Sequence, residues 1–497
     1  MTTPFGRPTR YPIWVCLLAP MLAGGLGWGI RGQYGHESGA MIPGVLIGLT
    51  IALLIAPAAS GLRLARIAAL TAVGFSFGAS MTYGQTLGLS HDAGIREVGY
   101  WWGMLGTTVK GAIWVGLAGA FMGIGLSRRR YGAAELAIVL LVMIGLWLIG
   151  VWALNTPLAP VNQKLPRIYF SDYWNAGKPD WEPRMELWGG LSFALVGLLA
   201  YLAFIRRDGR AVAMTFFGLV AGGIGFTSGQ SLQAYCAWHA PFPTAAIAKY
   251  IDAWKVMEVT FGLVVGLGTA IGCLVLYGRR DDAELEDEVT LSPVTEVVLF
   301  VLMADVMFLW NLRSYAAVDV VADVALTMGV IPIACIIGGR IWPYLGATVY
   351  IIIPIAGKTV RSAVYNEGVF EEGTGLTLLF RLPLLIMLVA GLVAMRRADR
   401  SATGSSSAGL MFFVSVWVFT LLSNANSFCR RALFCATDQR REEAGGWLGL
   451  VVESLRSALV VELTFFVLAV ILTVLMARAM AKRSRSWTVS AMIETAR

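Results

Sequence analysis

The feature that most limits how this chain can fold is a long succession of apolar runs, each about as long as a bilayer is thick. A helix needs roughly 20 mostly apolar residues to span the hydrocarbon core. We count about fourteen such runs, which cover residues 11–30, 40–59, 62–80, 102–126, 133–154, 187–205, 211–230, 254–277, 293–311, 318–338, 341–357, 374–395, 408–424 and 457–477. The chain is 57% hydrophobic and 14% charged, whereas a soluble domain carries roughly 25% charged residues. The sequence therefore predicts an all-α, polytopic integral membrane helical bundle, with residues 1–497 forming a single transmembrane domain in contact with the lipid bilayer.

Basic residues recur in alternate loops and at both termini. With fourteen helices these groups all fall on one side of the membrane, at positions 7 and 10, 63 and 66, 128–130, 206–210, 279 and 280, 396–400, and 478–485. Loops rich in Lys and Arg usually face the cytoplasm. We therefore expect both termini to be cytoplasmic, in a bacterial plasma (inner) membrane. The same count makes 281–292 an acidic cytoplasmic loop and makes 155–186 and 425–456 extracytoplasmic loops.

Composition gives little support to a soluble partner or a cofactor. The net charge is +8, but the basic residues are spread over loops in the way that orients a membrane protein, so we expect no nucleic acid partner. The chain has no P-loop, GxSxG or HExxH motif, and its six cysteines lack zinc-binding spacing. The cofactors are therefore unknown. Cys429 and Cys435 fall in one predicted outer loop, where we expect a disulfide between them or from one of them to Cys236.

Three glycine-rich segments mark the predicted outer ends of helices, at residues 24–39, 74–85 and 222–230. Each combines glycines with an aromatic residue and a glutamine, and each contains or precedes one histidine. The chain has three histidines in all, His36, His91 and His239. The recurrence of one pattern at the same membrane depth suggests that the three segments serve one site.

Glycine at this density can serve either of two purposes. It permits close packing between helices, or it marks a helix end whose exposed backbone lines a polar cavity. Both possibilities stay open for isolated glycine pairs. For segment 24–39 we favour a broken helix end, because the segment contains four residues too polar to serve packing alone: Arg31, Gln33, His36 and Glu37.

Charged residues also lie within predicted helices, near their outer ends. Lys110, Glu186 and Glu258 are examples, and a charge costs about 2.5–3.5 kcal/mol at the bilayer centre but less toward the interface. Each charge alone fits snorkelling or a structural ion pair, but the set suggests a shared polar cavity open to the outside. The candidate substrate-binding residues are therefore Arg31, Gln33, His36, Glu37, Gln85, His91, Lys110, Glu186, Gln230, His239 and Glu258. No catalytic residue is assigned and no metal site is predicted, since the histidines lack a local ligand spacing.

Predicted segments 3–4 resemble segments 7–8, which suggests an internal repeat. Each pair has a glycine-rich outward helix, an outer loop with a histidine, and a return helix that ends in arginine. Because both copies have the same orientation in the membrane, the repeat would be parallel rather than inverted.

Three functions fit this pattern. The first is a membrane transporter for an anionic or polar solute, with a site that opens to the extracytoplasmic side. The second is a membrane-embedded enzyme acting at the outer leaflet, such as a glycosyl or phosphoryl transferase with a lipid-linked donor. The third is a non-catalytic subunit of a larger complex or oligomer. Arginines among aromatic residues in the outer loops favour an anionic small molecule or lipid-linked substrate. The transporter hypothesis has only a small advantage over the enzyme hypothesis. A transporter should have charged groups accessible from both sides of the membrane, and the predicted cytoplasmic half contains few.

The predicted orientation can be tested by thiol labelling in intact cells. A single cysteine placed at Asn175, in the predicted outer loop, should react with a membrane-impermeant maleimide. A single cysteine placed at Ala283, in the acidic cytoplasmic loop, should be protected until the cells are permeabilised. The reverse pattern of labelling would invert the topology.

Overall fold

The computed structural model describes residues 11–35, 37–91, 96–159, 164–171, 183–241, 244, 252–278, 288–313, 329–366, 370–400, 404–431 and 460–481. These residues form fifteen helices, and no strand occurs among them. One isolated antiparallel bridge joins Ala159 to Lys164. The predicted all-α membrane bundle is confirmed.

The helices are numbered here in chain order. They are α1 (Ile13–Arg31), α2 (Glu37–Ile55), α3 (Gly61–Gly78), α4 (Gly84–His91), α5 (Arg96–Leu126), α6 (Ala133–Leu154), α7 (Trp188–Ile205), α8 (Gly209–Trp238), α9 (Ala253–Leu276), α10 (Pro293–Arg313), α11 (Ile331–Gly338), α12 (Trp342–Asn366), α13 (Glu372–Arg400), α14 (Ser405–Arg431) and α15 (Val460–Ala481).

Eleven of the described helices are long and apolar enough to cross a membrane, so the predicted number of fourteen is not confirmed. The eleven leave out the short helices α4 and α11, and also α3 and α10, which correspond to predicted segments 3 and 9. Every residue of α3 except Leu62 is buried among other helices, so its arginines and small residues do not meet lipid. Predicted segment 10 lies largely outside the described residues. The proposed repeat and the three predicted loops stay predictions.

Six helices pack side by side in a closed ring. In order around the ring they are α1, α2, α3, α5, α8 and α9, and α9 returns to pack along α1. The short helix α4 lies against α5 and α8. Outside the ring, α6 packs on α7, and α6 leaves most of its apolar side chains at the protein surface, as expected for a helix that faces lipid.

Glycines let the ring close. A Cβ atom on Gly24 of α1 would lie 2.1 Å from the Gly262 carbonyl oxygen of α9, and a Cβ on Gly262 would lie 2.2 Å from the Gly24 carbonyl oxygen. Gly111 and Gly222 have the same relation between α5 and α8, at 2.4 and 2.0 Å. Helices without side chains at the contact approach until their backbones touch, and this gains dispersion energy that lipid cannot match.

The three glycine-rich segments therefore differ from one another. In segment 24–39 the glycines within α1 serve packing, and the helix ends only after Arg31, in a turn where Gly35 has a φ of +82°. Segment 74–85 contains a true break, because α3 stops at Gly78 and α4 starts at Gly84. In segment 222–230 the prediction of a helix end is wrong, since α8 continues to Trp238. Its glycines are covered by α5 and α9, so the backbone needs no break.

Among the described residues, the start of α3 with Arg63 lies beside the connections that carry Arg130 and Arg206, at one end of the bundle that we call the basic end. Arg63 donates to the Ser127 carbonyl, and Arg66 donates to the carbonyls of Glu288 and Gly339 at 2.8 and 3.0 Å. The fully buried Glu296 carboxylate accepts three backbone N–H groups at the start of α12, from residues 340–342, at 2.8–2.9 Å. A carboxylate at a helix N-terminus is a favourable arrangement, and here it joins α10 to α12.

Ring closure gives a mutational test. Gly262→Ala should lower the free energy of unfolding by about 1–3 kcal/mol, the usual cost of overpacking, because the new methyl meets a backbone oxygen that cannot move aside. Thermal unfolding of the purified protein in detergent measures the change. The matched control is Gly145→Ala in α6, where no atom lies within 4 Å of the added Cβ. Equal melting temperatures for both variants would show that the α1–α9 contact is looser than described.

Candidate functional site

Five ring helices each contribute one aromatic residue to a mutually packed group, the aromatic cluster, composed of Trp28, Phe75, Trp114, Phe226 and Phe261. All five side chains are at most 1% exposed. The Phe226 and Phe261 rings are stacked, with centroids 4.8 Å apart, and the Trp28 centroid is 4.3 Å from that of Phe261. Three members come one from each glycine-rich segment. The segments thus share a role, which is to fill the ring.

Arg31 lies directly beside the aromatic cluster, at the end of α1, and is only 1% exposed. Its guanidinium carbon is 5.0 Å from the Trp114 ring centroid and 5.1 Å from that of Tyr83, within cation–π distance. Its Nη1 atom donates to the Tyr83 hydroxyl. Tyr83 lies in the connection between α3 and α4, so the first two glycine-rich segments meet at this contact.

One edge of the Arg31 guanidinium is unused. The Nε and Nη2 atoms are buried and have no hydrogen-bond partner among the described residues. These two N–H groups point the same way and form a fork that matches both oxygens of a carboxylate or phosphate. A buried donor without a partner is costly, and a charged one more so. The arrangement is therefore one that an anion would complete.

The nearby carboxylates are paired with lysines instead of Arg31. Lys110 and Glu186 are 0% and 1% exposed, and Lys110 Nζ lies 2.6 Å from Glu186 Oε1. The ammonium also donates to the Thr82 carbonyl and the Thr86 hydroxyl, at 2.8 and 2.7 Å. Glu186 in turn accepts from the Phe170 N–H and the hydroxyl of Ser171. This pair fastens residues 164–171 and the start of α7 to α5.

Glu258 forms a second pair, with Lys255 at 2.6 Å on the same helix, α9. The ammonium of Lys255 also donates to the Gly29 carbonyl at 3.1 Å. The carboxylate of Glu258 lies against Gly32, where an added Cβ would come within 1.9 Å of Oε1. A glycine directly after Arg31 therefore gives the Glu258 carboxylate room at the end of α1.

The turn after Arg31 is held by two helices from outside the ring. Gln33 donates from Nε2 to the Ser427 hydroxyl of α14 at 2.6 Å and accepts from Asn426 at 3.3 Å. Lys358 of α12 donates to the Tyr34 carbonyl and to the Ser38 hydroxyl. Helix α14 runs seven residues beyond the predicted end at 424, and Asn426 and Ser427 in this extension bond to Gln33.

The other predicted site residues that the structure describes lie at the same end of the bundle but do not all converge. Gln230 donates to Ser90 at 2.6 Å, and Gln85 accepts from the Arg184 N–H at 3.1 Å. His91 ends α4, and Glu37 begins α2. His239 is exposed and stacks on Tyr235, with ring centroids 4.1 Å apart. His36 lies outside the described residues.

Two further predictions concern metals and thiols. No group of three or more His, Cys, Asp or Glu side chains able to hold a metal ion occurs in the described part of the chain. Cys236 forms no disulfide with another described residue. Cys435 and the side chain of Cys429 lie outside the described part, so a bridge between these two stays a prediction.

Comparison with protein-family models, with curated proteins and with solved structures found no match. The site must therefore be interpreted from its own chemistry. Sequence reasoning singled out Arg31 but missed its two main contacts, Tyr83 and Trp114. Tyr83 lies within the glycine-rich segment 74–85, and its place in that motif is a signal that could have identified it. Nothing in the sequence near Trp114 points to Arg31.

The buried ion pair makes a quantitative prediction. Lys110→Met should destabilise the protein by about 3–5 kcal/mol, because it leaves the Glu186 charge buried without its partner. Adding Glu186→Gln should recover part of that loss, since no uncompensated charge remains. The exposed Arg340–Asp399 pair is the control, and Asp399→Asn should cost about 0–1 kcal/mol. Thermal unfolding compares the variants, and a Lys110→Met loss no larger than that of the control would contradict the burial of this pair.

Proposed function

We propose that the protein is a membrane transporter for an anionic solute and that Arg31 binds the negative group of that solute. The observation that carries the proposal is the buried guanidinium whose Nε–Nη2 edge has no partner among the described residues. A positive charge within a membrane bundle is a functional group by default, because its insertion is costly. Glu186 and Glu258 each have a lysine, so they leave Arg31 to a ligand.

The position of Arg31 also suits transport. Trp28 precedes Arg31 by about one helical turn on α1, so the aromatic cluster lies between the guanidinium and the basic end. A solute held by Arg31 would be separated from the basic end by packed rings. Movement of ring helices against one another would then be needed to pass it on, as in alternating access.

Charged groups also lie at the basic end of the bundle. Arg63, Arg66 and Asp208 are each at most 8% exposed at that end. Polar groups are thus buried near both ends of the bundle. This supports transport over an enzyme that acts at one leaflet.

We further propose that the bundle lies in a bacterial plasma membrane with the basic end in the cytoplasm. The support is the concentration of arginines in the connections at that end, which the positive-inside rule places in the cytoplasm. With this orientation the Arg31 site is nearer the extracytoplasmic side.

Substitution of Arg31 tests the proposal. The purified protein is titrated with sodium sulfate, phosphate, succinate and gluconate at constant ionic strength, and thermal stability is followed. Arg31→Lys keeps the charge but removes the fork, so an anion that stabilises the wild type should bind at least about tenfold more weakly, the effect of one lost charge-assisted hydrogen bond. The stabilising anions are then supplied as radiolabelled solutes to proteoliposomes, where wild type should accumulate them and Arg31→Lys should not.

The control is Arg381→Lys, the same change at an exposed arginine that bonds only within its own helix. It should bind and transport as the wild type does. An equal response of wild type and Arg31→Lys to every anion would contradict the assignment of Arg31. If binding depends on Arg31 but no uptake is measured, the anion site is supported and transport of these solutes is excluded. The enzyme and subunit hypotheses would then be the ones that fit.

A further inference from the structure

The basic end contains a cavity of about 90 Å³ that the proposed transport site does not use. It lies between the start of α3, the connection from α5 to α6, and the segment that leads into α10. Four arginines line it, namely Arg63, Arg66, Arg129 and Arg130, with one acid, Glu288. A volume of 90 Å³ equals about three water molecules at roughly 30 Å³ each, enough for a small anionic group.

One of the arginines that line the cavity has an unsatisfied donor. Arg63 is 8% exposed and donates to the Ser127 carbonyl, but its buried Nε atom has no partner among the described residues. Its backbone is fixed by the Ser60 cap of α3, which accepts from the Arg63 N–H at 3.1 Å. Arg66, one turn later on α3, donates to two carbonyls. The Arg63 guanidinium is therefore held in place by a neutral acceptor that leaves its charge unbalanced.

The buried acids near this end are already occupied. Asp208 accepts from the hydroxyls of Ser127 and Tyr131 and, as the cap of α8, from the Ala211 N–H. Burial and the Asp208 carboxylate raise the pKa of the Tyr131 phenol, so the phenol stays protonated as a donor. Glu296 is bound by backbone N–H groups. Among the described residues, neither acid forms an ion pair with Arg63, Arg129 or Arg130.

We propose that this cavity is a binding site for a phosphate group. Arginine side chains that converge from α3 and from the α5–α6 connection match the several oxygens of a phosphate, and a carboxylate has fewer oxygens to offer them. The hydroxyl of Ser127 already donates to Asp208, so the arginines are left as the donors for the anion. The site is distinct from the Arg31 site. Arg31 lies at the end of α1, at the opposite end of the bundle from the start of α3.

The phosphate can belong to an anionic lipid headgroup or to a soluble ion. Ala133 and Ile337 also line the cavity, and Ala133 begins α6, whose exposed apolar face follows with Ile138 and Leu141. A lipid could place its headgroup in the cavity and its chains along this face, as expected for basic pockets between membrane helices. Inorganic phosphate needs only the arginines.

The test compares two neighbouring arginines. Arg128 and Arg129 are both exposed in the same connection, but only Arg129 lines the cavity. Purified protein in neutral detergent is titrated with inorganic phosphate and, separately, with short-chain phosphatidylglycerol, at constant ionic strength. Thermal stability gives the half-saturating concentration. Arg129→Gln should raise it about tenfold, whereas Arg128→Gln should change it by at most about twofold, as expected for a charge outside the site.

Each outcome of this titration either supports the phosphate site or overturns it. A saturable response to phosphate that depends on Arg129 supports the site with a soluble ligand, and a response to phosphatidylglycerol alone supports it with a lipid. No saturable response to either probe overturns the proposal, as does an equal loss in Arg128→Gln and Arg129→Gln. Arg63→Gln should abolish binding if it folds, and the exposed pair remains decisive if it does not. The transport site is tested by substitution of Arg31 and this site by the Arg128–Arg129 pair, so the two sites can fail separately.

Discussion

The contact between the backbones of α1 and α9 is the constraint on which the rest of the bundle depends. It closes the ring of six helices, and only a closed ring can surround five aromatic side chains and exclude lipid from Arg31. Lipid offers no hydrophobic drive between helices, so closeness of approach decides which helices associate. Glycine at both faces of the contact makes that approach possible. The glycine-rich segments therefore serve helix packing first, and the burial of the polar groups depends on that packing.

Charge is distributed in the bundle by a simple rule. Acids buried in the described core are paired with lysines or bound by backbone N–H and hydroxyl groups, as Glu186, Glu258, Glu296 and Asp208 show. Within the described residues, the buried Arg31 and Arg63 side chains bond to neutral groups, and each keeps at least one buried N–H without a partner. A bundle that satisfies its acids and leaves arginines unsatisfied is suited to anions. The two arginines lie near opposite ends of the helices that carry them.

Sequence pattern predicted the helical membrane fold because a succession of apolar runs of bilayer length is typical of membrane-spanning helices and of little else. It also placed Arg31 and Glu258 in one set of candidate site residues, and the Glu258 carboxylate lies against Gly32, the residue after Arg31. It could not predict ring order, because any amphipathic or small-residue face fits several neighbours. It misjudged 222–230, where glycine serves packing within a continuous α8. It also treated Arg63 and Arg66 only as topology signals, because burial cannot be inferred from a loop position.

The order of the ring has a consequence for biosynthesis. Helices α1, α2 and α3 leave the ribosome early, but α1 obtains its second neighbour only when α9 emerges, after α4 to α8 have been made. Until then the glycine face of α1 has no protein to cover it. A nascent chain at this stage exposes that face to lipid and lacks the close backbone packing that α9 provides. Membrane insertion factors that shield such surfaces should therefore remain on α1 until α9 enters the bilayer.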